Sequence, residues 1–183
     1  DDHLRALLAG WTADVRAERA RSVRDAEGWE RRVAADEATC TGLVLDLADR
    51  RWPAIVTTTA GRSAGGRIEA VGRDFLAVVP EGRPTVLIGL RWVAAVQLDL
   101  PAGSVGTPGS RTIDERAPGI ADVLDDLVER RPRLRCFLGT AMTAVTGTLL
   151  SVGTDVVTLA TGPTGTRTAF LRTEEIAELD VVR

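Results

Sequence analysis

Apolar positions in this chain repeat with two periods, and the change from one to the other happens twice. Leu4, Leu8, Trp11 and Val15 recur every three or four residues, which predicts a helix with one apolar stripe. Val23, Ala26, Trp29 and Val33 resume the stripe at a different angle, and Gly28 is expected to break or kink it. This N-terminal helical arm covers residues 1–38. Its exposed tryptophans need a surface to cover, either on a partner or another copy, or on the rest of this chain. A second helix follows, with Leu43, Leu47 and Ala48 inward, and Pro53 stops it.

The period then becomes that of strands. Ile55–Thr59, Arg67–Val71, Phe75–Val79, Thr85–Ile88 and Val93–Leu98 are β-branched, alternating or continuous apolar runs separated by Gly, Pro and Asp turns. Residues 100–118 lack periodicity and read as a linker. The order then repeats. Ile120, Val123, Leu124, Leu127 and Val128 line a helix that ends near Pro132. Strands are expected at Leu134–Gly139, Val145–Val152, Val156–Ala160, Thr166–Leu171 and Ile176–Val182.

A shift of 81 residues superposes Gly66 on Gly147, Gly72 on Gly153, Asp74 on Asp155 and Arg91 on Arg172. Recurrence of one glycine-turn-aspartate element inside two strand runs is the mark of an internal duplication. At the last strand the hydrophobic pattern instead pairs Val93 with Ile176. In this reading Gly66 and Gly147 bend a strand, and Gly72 and Gly153 supply positive φ in a hairpin. Asp74 and Asp155 hydrogen-bond their own turn backbone.

Composition narrows the chemistry. All 23 basic residues are Arg, which fits a biased, GC-rich coding composition and is not by itself a nucleic-acid signal; the net charge is -3. His3 is the only histidine, so histidine triads and multi-histidine metal sites are excluded. There is no C-x-x-C, Walker or dinucleotide-binding motif, so no cofactor and no enzyme activity is expected. Acidic pairs such as Asp125-Asp126 and Glu174-Glu175 read as solvated faces or turns. Cys40 and Cys136 read as buried free thiols rather than a disulfide. No apolar run approaches a membrane span and no secretory signal is visible, so the expected location is cytoplasmic, with no membrane partner.

The two glycine-bent strand pairs, together with Phe170-Leu171-Arg172-Thr173-Glu174-Glu175-Ile176 and its counterpart Leu90-Arg91-Trp92, resemble the Sm-like superfamily, especially the bacterial Sm-like small barrels. The resemblance covers residues 40–99 and 119–183. It implies a mainly β protein with some helix: two tandem, five-stranded Sm-like (SH3-type) barrels, each preceded by a helix, spanning residues 39–99 and 119–183. It also implies assembly through the fourth and fifth strands. The family's base-binding Asp and Asn fall on Gly72 and Leu76 in the first copy, and on Gly153 and Val157 in the second. The glycine after the motif arginine is Trp92 or Thr173. Only Arg91 and Arg172 carry over, so the usual single-strand RNA pocket is missing.

Trp52 and Trp92 sit at the edges of the first strand set. They either pack against the preceding helix or offer a stacking platform to a partner. The expected function is a non-catalytic binding or scaffold module that meets a protein partner, or itself, through edge strands and the N-terminal helix. The alternative is an RNA- or DNA-associated regulator that uses Arg91 and Arg172. A small-ligand sensor is disfavoured because small barrels fill with their own side chains.

Overall fold

The structure is a computed structural model that describes residues 18–19, 21–24, 26, 28–30, 32–101, 106–139, 143–163 and 165–182. His3, Leu4, Leu8, Trp11 and Val15 lie outside the described residues. Between 18 and 37 the described residues are helical, Gly28 included, and Val23, Trp29 and Val33 are exposed.

Helix α1 (Cys40–Arg50) begins at Thr39, whose Oγ1 accepts from Gly42 N at 2.9 Å. Helix α2 (Ile120–Asp125) begins at Gly119. Both approaches to the sheet end in a left-handed arginine, Arg51 at φ 53° and Arg131 at φ 45°. The strands are β1 (Pro53–Thr58), β2 (Ser63–Val71), β3 (Phe75–Val79), β4 (Val86–Gly89), β5 (Val93–Leu98), β6 (Arg133–Leu138), β7 (Thr143–Val152), β8 (Val156–Thr161), β9 (Arg167–Arg172) and β10 (Ile176–Val182). They lie where the apolar runs place them, except that β2 starts earlier.

The expected architecture is overturned. The ten strands form one open antiparallel sheet in the order β5-β1-β2-β3-β4-β10-β6-β7-β8-β9, with few short helices, in place of two tandem five-stranded Sm-like barrels with leading helices. The reason lies in β3 and β4. Leu76, Val78, Val86 and Ile88 face a core shared with Val44, Leu47, Val56 and Ile68. Phe75, Ala77 and half-buried Leu87 face the other way, into a second core with Ile120, Leu124, Leu149, Ile176 and Leu179. Strands buried on both faces read as continuous apolar runs. β4 then pairs with β10, so the first five strands carry straight on into the last five.

The duplication is nevertheless written into the pairing registers. Ala54 opposes Gly66 as Leu134 opposes Gly147, and bulges fall between Ile68 and Ala70 and between Leu149 and Ser151. Phe75 opposes Gly89, whereas Val156 opposes Arg172. The equivalent of Arg172 is therefore Gly89, and the equivalent of Arg91 is Glu174; one fixed shift cannot align both strand pairs because the β8–β9 connection is two residues longer.

Candidate interaction surface at the seam and the free edges

Three pairings of β10 with β4 make the seam: Glu178 with Ile88, Leu179 with Leu87 and Asp180 with Val86. Glu178 and Asp180 are buried in the middle of the sheet and would be costly there without partners. Each has an arginine. Arg62, from the β1–β2 turn, donates to Glu178 Oε2 at 2.9 Å and Oε1 at 2.7 Å. Arg135 forms the same two-toothed contact with Asp180, and this hydrogen bond and charge hold its guanidinium pKa above the ordinary value. Phe137 lies beneath both guanidiniums, at 3.5 Å from Arg62 and 5.6 Å from Arg135. Two-toothed arginine–carboxylate pairs are the geometry in which a buried ion pair is best compensated.

Arg91 and Arg172 also meet at the seam, though they are not equivalent by register. Arg91 Nη1 lies 3.3 Å from Glu174 Oε2, and Arg172 pairs with Glu174 Oε1. Glu174 lies exposed in its turn, as expected, and is also the carboxylate that joins them. Trp92 is wedged beside it: its Nε1 donates to Glu174 O at 2.9 Å, and the ring lies close to Gly89 and Gly139. Trp52 is elsewhere. It is half-buried against the first core, with Arg50 4.8 Å from its ring centre. The structure thus unites Arg91, Arg172 and Trp92, and leaves Trp52 apart.

The turn residues also differ from expectation. Neither Gly72 nor Gly153 has positive φ. A side chain at Gly72 would instead collide with the Phe75 ring and Pro118 O. Gly66 and Gly147 are demanded by close strand approach, since a Cβ would meet Val79 O in one case and Ala160 O, at 2.6 Å, in the other. The Asp74 carboxylate does not bond its own turn. It accepts from Ile120 N at 2.8 Å, the first amide of α2, while Arg73 N donates to Pro118 O at 2.9 Å. Asp74 thereby ties the first half's turn to the second half's helix.

Asp155 occupies the same turn in the second half. Gly153 N donates to Val156 O at 2.7 Å and Thr173 N to Asp155 O at 2.9 Å, as Gly72 N does to Phe75 O and Leu90 N to Asp74 O, both at 2.8 Å. The turn has the same backbone bonds, yet Asp155 is exposed and its carboxylate meets no described residue. The strands beside it are also uncovered. β9 pairs only with β8, and β5 only with β1, among the described residues. Phe170 on β9, the equivalent of seam residue Leu87, is 71% exposed.

Other features are less organised. Both cysteines are free, but only Cys136 is buried; Cys40, expected inside, is exposed at the start of α1. Burial, aided by the charge of Asp180, pushes the Cys136 thiol up to about 12. An open cleft of about 500 Å³ lies between Pro53, Arg67, Glu69 and Glu81, and the charged side chains that line it are exposed. No group of three or more potential metal ligands occurs among the described residues, and no helix there is long and apolar enough to cross a membrane. Arg62, Glu178 and Phe170 were not legible as site residues. The one signal was the placing of two acids, Glu178 and Asp180, inside an otherwise apolar strand. No protein-family model matches the chain, and no curated protein matches it either.

Proposed function

We propose that this chain is a non-catalytic assembly module whose terminal strands take up a strand from a protein partner. The observation that carries this reading is the contrast between Leu87 and Phe170. The first is packed at a strand-to-strand seam, and the second is a large apolar residue exposed on an unpaired edge. Edge strands present rows of unpaired amides and carbonyls and are commonly blunted with charge, proline or bulges. Between Thr168 and Leu171, β9 has none of these, and β5, past an irregularity at Ala94, carries no charge or proline over Ala95–Leu98. Such edges are suited to strand addition, in which main-chain bonds give affinity and alternate side chains give specificity.

The nucleic-acid reading relied on Arg91 and Arg172. Both are engaged by Glu174, which lowers their value as phosphate contacts, and no other observation favours that reading. The test is affinity capture of partners from the native cell with the intact chain and with Phe170→Asp, before and after nuclease treatment. The proposal expects nuclease-resistant partners that the variant loses. Partners retained equally by the variant, or released by nuclease, contradict it.

A further inference from the structure

Resting on that reading, we infer that the partner is a second copy of this chain, and that the Gly153–Asp155 turn is the receptor for the N-terminal end of that copy's α1. Within one chain, the first half receives the second through two contacts: β4 pairs with β10, and the turn carrying Asp74 receives the start of α2. The second half presents both receiving elements again, β9 and the turn carrying Asp155. The first half presents both inserted elements again, β5 and the start of α1.

The correspondence holds residue by residue. Cys40 opens α1 as Ile120 opens α2, and each follows an extended cap residue, Thr39 at φ -125° and Gly119 at φ -89°. The Ile120 amide is bonded to Asp74, while the Cys40 amide has no partner among the described residues and Cys40 is exposed. The Thr39 hydroxyl serves Gly42 N, so it leaves the Cys40 amide free for a carboxylate from outside. An acid beside the first amides of an eleven-residue helix is favoured both by its orphan donors and by the helix dipole. By the same correspondence Thr154 N would donate to Ala38 O of the next copy, as Arg73 N donates to Pro118 O.

The strand register follows as well. The seam pairs Leu179 with Leu87; its repeat pairs Val96 of one copy with Phe170 of the other. Val96 and Leu43 are only partly buried, which leaves apolar surface to cover Phe170. The joint is heterologous, head to tail, so it builds a ring if it closes and a filament if it does not. It lacks the seam's arginine clamp, because Ala95 stands where β10 has Glu178. Association is therefore weaker than the seam and reversible.

The test uses the full chain with Thr154→Cys, which keeps Asp155 and relies on the native Cys40 as the other thiol, treated with a short bis-maleimide. The expected products are covalent dimers and higher multimers joined from residue 154 to Cys40, mapped by peptide mass and absent when Cys40→Ser is added. Adding Asp155→Ala should reduce cross-linking by roughly five-fold, the loss of one helix cap. Multimers joined through other sites overturn the inference. A chain that remains monomeric yet captures another protein through Phe170 overturns the second copy and leaves the edge reading intact. A monomer whose partner capture ignores Phe170→Asp overturns both.

Discussion

The seam at β4 and the free edge at β9 are two versions of one strand in two surroundings. On β4, Val86 and Ile88 face one core and Leu87 the other, with β10 alongside. On β9, Leu171 is buried on one face while Phe170 has nothing over it. The turns compare in the same way: Asp74 caps a helix, and Asp155 holds the same backbone bonds with no helix to cap. The second half's core, with Leu149, Val157, Leu159 and Leu179, is completed across the seam by Phe75 and Ala77 of the first half. What the seam adds is the covering of the opposite face of β3 and β4, and that covering is missing from β8 and β9.

The greatest loss of stability is expected at Cys136, on β6 next to the seam strand β10. Its first-half equivalent is Val56, which does not ionise. The folded chain keeps this thiol protonated up to about 12, whereas the unfolded chain releases the proton near the ordinary 9.0. Between those values the unfolded state holds fewer protons, so stability is complete below pH 9 and falls as pH rises toward about 12. The full loss is of the order of 4 kcal/mol. Denaturant titrations across this range should show the fall, and Cys136→Val should remove it.

A smaller effect is expected at the clamp. Arg62→Ala leaves Glu178, 4% exposed, without its partner and should cost about 3 kcal/mol of unfolding free energy. The turns come next. Asp74→Ala should cost about 1 kcal/mol, the loss of a helix cap, while Asp155→Ala should leave the isolated chain unchanged. Phe170→Ser should cost little, within about 0.5 kcal/mol for an exposed position, although it should abolish partner capture. Equal losses at Asp74 and Asp155, or a destabilised Phe170→Ser chain, would erase the distinction between seam and edge.

The strands were legible because each carries a short apolar run bounded by turn residues, and the duplication was legible in Gly66, Gly147, Asp74 and Asp155. The joining of the two halves was not. A strand pattern such as Phe75–Val79 says that both faces are buried but does not say what covers the second face. The Arg91–Arg172 correspondence failed because β8–β9 is longer than β3–β4, and a fixed shift hides such an insertion. Both arginines still reached one place, around Glu174, because the seam brings the two 3-10 turns at Leu90–Trp92 and Thr173–Glu175 together. Arg62 could not be read at all. It lies 116 residues before Glu178, and only the folded sheet makes them neighbours.

The most direct measurement is amide exchange, followed strand by strand as protein concentration rises. Slow exchange is expected at every concentration for the Leu87 and Leu179 amides of the seam. Among Ala169–Leu171 of β9 and Ala95–Gln97 of β5, the amides that point away from the paired neighbour should gain protection together as concentration increases, accompanied by the Cys40 amide. Edge amides that exchange freely at every concentration, or protection that appears on β9 without β5, would contradict it.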